Sequence, residues 1–196
     1  MSSRTAAKGA FAAARRRVTG RLLDIFDRTS TTTPGTAQTG QAWQVVTGTW
    51  GTDGARLYSV TATDGDNVLI ETGTKTQDVT VTLALGVAAG AFPELVLRAS
   101  TAASNGYWVE VQSDGKVGLV SGGGGVFTAA GAAKNGDVIR ATATDEGSQV
   151  RLIVWVNGVQ VLSSLSEYYN AGTKIGFRHG AASAGLSIRW DNLTVA

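Results

Sequence analysis

Alternation with a period of two, broken every few residues by Asn-Gly or Asp-Gly, leaves this chain few folds other than packed β-sheets. Asp78-Val79-Thr80-Val81-Thr82-Leu83-Ala84-Leu85 is the clearest run. Val79, Val81, Leu83 and Leu85 face one way; Thr80, Thr82 and Ala84 face the other. Comparable runs span 43–50, 55–61, 66–72, 94–100, 106–112, 116–121, 137–144, 149–156, 159–165, 173–178 and 186–195. Between them lie Asp53-Gly54, Asp64-Gly65, Asn105-Gly106, Asp114-Gly115, Asn135-Gly136 and Asn157-Gly158. Asn and Asp tolerate positive φ and glycine prefers neither sign, so these pairs suit the tight turns of β-hairpins. About a dozen short strands at this spacing predict an all-β sandwich or jelly roll. In the run 150–156, Val150, Leu152, Val154 and Val156 form a core face, while Ile153 and Trp155 form a second, partly covered face.

The chain of 196 residues is long enough for one sizeable core, and at 43% hydrophobic it is too apolar to be disordered. It has no cysteine, which excludes disulfides, Cys-ligated zinc and thiol catalysis. No segment approaches the ~18–20 apolar residues of a membrane span.

The first 28 residues depart from this pattern. Arg4, Lys8, Arg15, Arg16, Arg17, Arg21 and Arg28 oppose Asp24 and Asp27, a net +5, while the remaining 168 residues carry 10 basic and 13 acidic groups, a net −3. Phe11, Ala14, Val18, Leu22 and Ile25 recur at helical spacing, predicting a helix over 5–23. Gly9 and Gly20 each weaken it by roughly 1 kcal/mol, so it needs a surface to dock on. A solvated basic tail, a docking arm and nucleic-acid contact are the three readings. Because termini are mobile unless tied down, an arm held by a partner is expected. Phe11, Arg15, Arg16, Arg17, Val18, Arg21 and Leu22 are its anchoring candidates, and the weaker expectation is nucleic acid, for which the body offers no further basic footprint.

Leu23-Asp24-Ile25-Phe26-Asp27-Arg28 is followed by Gly40-Gln41-Ala42-Trp43 and Thr47-Gly48-Thr49-Trp50. Later come Leu97-Arg98-Ala99-Ser100, Asn105-Gly106-Tyr107-Trp108, Val156-Asn157-Gly158, Ile175-Gly176-Phe177-Arg178 and Arg189-Trp190-Asp191-Asn192-Leu193. This order resembles the concanavalin A-like (laminin-G-like) jelly rolls of phage tail and fibre proteins and of some bacterial surface proteins. The resemblance implies that the opening strand pairs near the closing one, with Phe26 close to Trp190. It divides the chain into an arm, 1–22, and a jelly roll, 23–196. The preference for Arg over Lys, 12 to 5, fits a GC-rich phage host.

Little chemistry is written in the residues. Related jelly rolls include retaining glycoside hydrolases, which need two carboxylates about 5 Å apart. Such acids would alternate on one strand. Here Asp64 and Asp66 are expected in a turn, and Asp145-Glu146 are adjacent and point apart. His179, the one histidine, is expected in a surface loop and cannot build a triad alone. Asp64, Asp66 and Asn67 make a conceivable calcium loop, though an Asx turn explains them better. Gly122–Gly125 lacks the features of a phosphate loop and reads as a hairpin loop. No cofactor is expected. Tyr107, Trp108, Tyr168 and Tyr169 are the glycan-contact candidates, one of Tyr107 and Trp108 facing outward. Trp43, Trp50, Trp155 and Trp190 are expected in strands and core.

The expectation for function is a non-enzymatic virion protein: a jelly roll displayed on the virion surface, anchored by its arm to a tail or major capsid protein. It would be multicopy or homo-oligomeric. The alternative is a lectin-like module recognising host glycans; a glycoside hydrolase ranks third.

Overall fold

The computed structural model describes residues 22–101, 105–121, 126–129, 133–168, 170–181 and 185–196. Within them, in chain order, run β1 (Leu22–Asp24), β2 (Gln44–Thr47), β3 (Trp50–Thr52), β4 (Leu57–Ser59), β5 (Asp66–Glu71), β6 (Gln77–Leu85), β7 (Ala91–Ala99) and β8 (Tyr107–Val111). After these come β9 (Val117–Ser121), β10 (Val126–Ala129), β11 (Val138–Glu146), β12 (Gln149–Val156), β13 (Val159–Ser166), β14 (Lys174–Ala181) and β15 (Arg189–Val195). One sheet has eight strands in the order β13-β12-β11-β6-β15-β4-β3, with β1 also on β15; the other has seven, β10-β9-β8-β7-β14-β5-β2. Every pairing is antiparallel.

The expected alternation builds the core between the sheets. Val79, Val81 and Leu83 of β6, Val150, Leu152 and Val154 of β12, Leu95 and Leu97 of β7, and Ile175 and Phe177 of β14 are all fully buried. Burying such a side chain stabilises the fold by about 1.5–3 kcal/mol. Asn157 (φ 50°) and Gly158 (φ 79°) are both left-handed and close the β12–β13 hairpin as the pair predicts. Asn105-Gly106 does not form such a turn. Gly106 is needed for close approach instead: a Cβ there would lie 2.6 Å from the Leu97 carbonyl oxygen.

The run expected over 43–50 is two strands on different sheets. Gly48 (φ 75°) makes the crossing, and a Cβ at that position would sit 2.2 Å from the Asp66 carboxylate. The run expected to begin at 94 begins at Ala91 and includes Pro93. Proline fits there because β8 pairs with β7 only from Glu94 onward.

The opening and closing strands pair as the resemblance implies, Leu22 with Val195 and Asp24 with Leu193. Phe26 and Trp190 are linked through two other rings. Phe26–Trp43, Trp43–Phe177 and Phe177–Trp190 centroids lie 5.9, 5.7 and 4.7 Å apart. Buried Asp24 fixes this entrance. Its carboxylate accepts from Arg28 through both oxygens (2.8 Å each), from Trp43 Nε1 (2.7 Å) and from the Phe26 N–H (2.9 Å). Those bonds hold Phe26 at a φ of 52°, a rare value for a bulky residue.

The helix expected over 5–23 lies outside the described residues except for Leu22 and Leu23, which are extended in β1. Leu22 is 3% exposed and packs in the sandwich core, so it belongs to the sandwich rather than to an anchoring arm. The other anchoring candidates, Phe11, Arg15, Arg16, Arg17, Val18 and Arg21, lie outside the described residues, as does the Gly122–Gly125 loop.

Candidate functional site

The middle of the seven-stranded sheet brings β8, β7, β14 and β5 side by side. Inward residues alternate with outward ones, so the core assignment fixes the outer face: Trp108 and Glu110 on β8, Glu94 and Val96 on β7, Gly176 and Arg178 on β14, Asn67 and Leu69 on β5. The register sets these in two rows. One row runs Trp108, Val96, Gly176, Leu69; the other runs Glu110, Glu94, Arg178, Asn67.

The first row is apolar. Leu69 and Val96 are fully buried on this outer face, and half-buried Trp108 and Val46 pack against them. The second row is charged. Glu94 is 5% exposed, and Arg178 Nη1 donates to both of its oxygens at 2.7 Å. Arg178 also reaches Asp64 at 3.5 Å. Glu110 stands directly opposite Glu94, half-buried, and takes a bond from Gln112 Nε2 at 3.2 Å. Like charges facing each other across strands are destabilising, and Arg178 offsets this pair by neutralising Glu94. Burial pushes the Glu94 carboxyl above the usual carboxylate range, against the pull of Arg178, with Glu110 and Asp64 pushing the same way as burial. Next to Glu110 on β9 is Gly118, where a Cβ would meet nothing closer than 3.9 Å.

Of the glycan candidates, Trp108 belongs to this face. Tyr107 does not: it points into the core, fully buried, and its hydroxyl donates to the Tyr168 carbonyl. Burial pushes the Tyr107 phenol pKa up. Tyr168 packs against the core edge-on to Tyr107, with centroids 6.0 Å apart. Tyr169 lies outside the described residues. Trp43, Trp50 and Trp190 are buried as expected, although Trp43 lies just ahead of β2 rather than in it. Trp155 is on the outer face of the eight-stranded sheet, half-buried, with the Arg140 guanidinium 4.4 Å above its ring.

His179 corrects a sequence expectation. It is not in a surface loop but on β14, facing inward and fully buried. The alternation Ile175, Phe177, His179 carries it into the core. Asp66 is likewise the first residue of β5 rather than a turn residue. Its carboxylate accepts from the Ser59 and Thr61 hydroxyls (2.5 Å each) and from the Thr63 N–H (3.0 Å). Asp64, in the turn, bonds the Ala181 N–H, and Asn67 bonds Thr47. The three residues of the conceivable calcium loop therefore diverge. Asp145 and Glu146 are pinned to different arginines, Arg98 and Arg151. Among the described residues no three metal-ligating side chains converge.

Glu94, Glu110 and Arg178 were not visible as a group in the sequence. The pair Glu94/Glu110 is made by neighbouring strands, 16 positions apart in the chain. A search for acids alternating along one strand cannot find it.

No protein-family model matches the chain, and no curated protein matches it. Solved structures do. An endo-1,3-beta-glucanase from Streptomyces sioyaensis matches with TM-score 0.55 and 11% identity, over 90% of this chain and 97% of that one. The carbohydrate recognition domain of Emp47p matches with TM-score 0.53 and 12% identity, over 90% and 94%. A protein of unknown function with a galectin-like fold from Bacillus subtilis matches with TM-score 0.52 and 14% identity, over 78% and 88%. The fold is a concanavalin A-like jelly roll. Identities this low establish architecture, and function has to be argued from the site.

Proposed function

We propose that the chain is a non-catalytic, lectin-like module that binds glycans on the outer face of its seven-stranded sheet. The observation that carries this reading is the convergence of Trp108, Glu110 and the Glu94–Arg178 pair on adjacent positions of β8, β7 and β14. A sugar ring offers a C–H face to an indole and neighbouring hydroxyls to charged acceptors and donors. Charge-assisted hydrogen bonds are roughly twice as strong as neutral ones, so a few suffice. In this reading Trp108 takes the C–H face, Glu110 accepts from hydroxyls, and Arg178, steadied by Glu94, donates. Hydrolysis fits the geometry less well. A retaining mechanism needs one carboxylate as nucleophile and a second as acid, and Arg178 holds both oxygens of Glu94.

A glycan array followed by calorimetry tests this. Saturable binding to at least one glycan class is expected, weakened tenfold or more by Trp108→Ala and by Glu110→Gln. Absence of saturable binding to every glycan would sink the reading. Release of reducing ends from a polysaccharide would overturn its non-catalytic part.

We further propose that residues 1–21 fasten the module to a larger assembly, a phage virion, in many copies. The support is the segregation of charge, net +5 in residues 1–28 against −3 in the remainder. Multiple copies make weak single contacts adequate for adhesion. Deleting residues 1–21 leaves β1 intact and is expected to give a folded module that no longer joins the particle. Incorporation at normal occupancy would refute the anchoring role.

A further inference from the structure

His179 differs from the two buried acids at this end of the sandwich. Asp66 accepts three hydrogen bonds and Glu94 is held through both oxygens, whereas His179, fully buried, has no hydrogen-bond partner on either ring nitrogen. A neutral imidazole is tolerated in such a place; an imidazolium without an acceptor is costly. The position also matters. On β14, His179 follows Arg178, which points to the opposite face and carries the clasp on Glu94. Its register partners are Asp66 on β5 and Pro93 on β7, the residue before Glu94. Inner and outer faces are thus coupled through consecutive residues on two strands.

We propose that His179 is an acid-sensitive latch beneath the glycan face: taking up a proton there requires the end of β14 to open, and that opening takes Arg178 off Glu94 and releases the ligand. The release step rests on the glycan-binding reading above; the latch itself does not. The charged groups acting on the ring are Asp66 of β5 and Asp64 of the preceding turn, which favour the proton, and Arg178 of its own strand, which opposes it. Its register partner on β7, Pro93, carries no charge. Burial outweighs the two carboxylates and pushes the His179 pKa down from its ordinary value. Below pH about 6.5 the open or unfolded ring takes the proton that the closed one refuses. The contribution to stability is therefore complete above about pH 6.5 and is lost as pH falls toward the folded-state value.

The chain has one histidine, so its ring protons give an unambiguous NMR signal. The ring is expected to stay neutral well below pH 6.5, then to protonate together with changes in the β14 resonances. Glycan affinity is expected to hold until the pH at which the ring protonates and to fall below it by up to tenfold per pH unit, the limit for one linked proton. His179→Leu should bind normally at pH 7.5 and lose this pH dependence. Reversible titration near 6.5 with an otherwise unchanged spectrum would overturn the latch. So would identical pH profiles for the wild type and His179→Leu, which would assign the effect to the face carboxylates. If no glycan binds at any pH, the binding reading fails and melting temperatures judge the latch alone. A fall between pH 7 and 5 in the wild type that is absent in His179→Leu supports it, and parallel curves refute it.

Discussion

The outer faces of the two sheets carry similar side chains and treat them differently. Each has one tryptophan and an arginine paired through two bonds with a carboxylate. On the eight-stranded sheet, Arg140 binds Asp78 at 2.8 and 2.7 Å and lies over Trp155, and both charged groups stay well hydrated. Thr80, Thr82, Thr142 and Thr194 surround them, half-buried. On the seven-stranded sheet, Glu94 is nearly enclosed, a second carboxylate faces it across the strands, and Trp108 lies on an apolar row. Every formal charge of the Arg140–Asp78 pair is answered, while the Glu94 row keeps an acid, Glu110, opposite one already neutralised. That surplus is why the proposed glycan site is placed on the seven-stranded sheet.

The largest expected effect that tests this contrast is Arg178→Ala. It leaves Glu94 enclosed without its guanidinium and should cost about 3–5 kcal/mol at neutral pH. The same change at Arg140, on a hydrated pair, should cost less than about 1 kcal/mol. Urea unfolding measures both, and equal costs would erase the distinction between the faces. The Arg178→Ala penalty should shrink as pH falls. Burial already raises the Glu94 pKa with Arg178 in place, and losing the guanidinium raises it further; the penalty is complete above that raised value and is lost as pH falls through it to the ordinary carboxylate value.

Binding should sharpen the contrast next. Trp108→Ala is expected to weaken glycan binding tenfold or more, about 1.4 kcal/mol, and Trp155→Ala to leave it unchanged. The reverse result in calorimetry would move the site to the other sheet. The smallest effect is expected at Thr142→Val, on the eight-stranded face, where stability should stay within about 0.5 kcal/mol by thermal melting.

The fold was largely legible because strand burial is a property of consecutive residues. Val79, Val81 and Leu83 declare an inward face by themselves, and Asn157-Gly158 declares its turn. Pairing of the first strand with the last was available through the order of motifs from Leu23 to Trp190. The failures have a common cause. Asp66 read as a turn residue because its donors, Ser59 and Thr61, become neighbours only when the chain folds back. His179 read as a loop residue because polarity outweighed its place in the alternation Ile175, Phe177, His179. Tyr107 and Trp108 were separable as inward and outward, but which was which depended on the register of β8 against β7.

The sequence by itself determined the sandwich, its core and the segregation of positive charge into residues 1–28, since period, turn chemistry and charge are local quantities. The tertiary structure alone decided the Glu94–Glu110–Arg178 row, the diversion of Asp66 from any cation loop, and the enclosure of His179. Each depends on which strands lie side by side, and hydrogen-bonded neighbours in an antiparallel sheet can be any distance apart in the chain: Glu94 meets Glu110 of β8 on one side and Arg178 of β14 on the other.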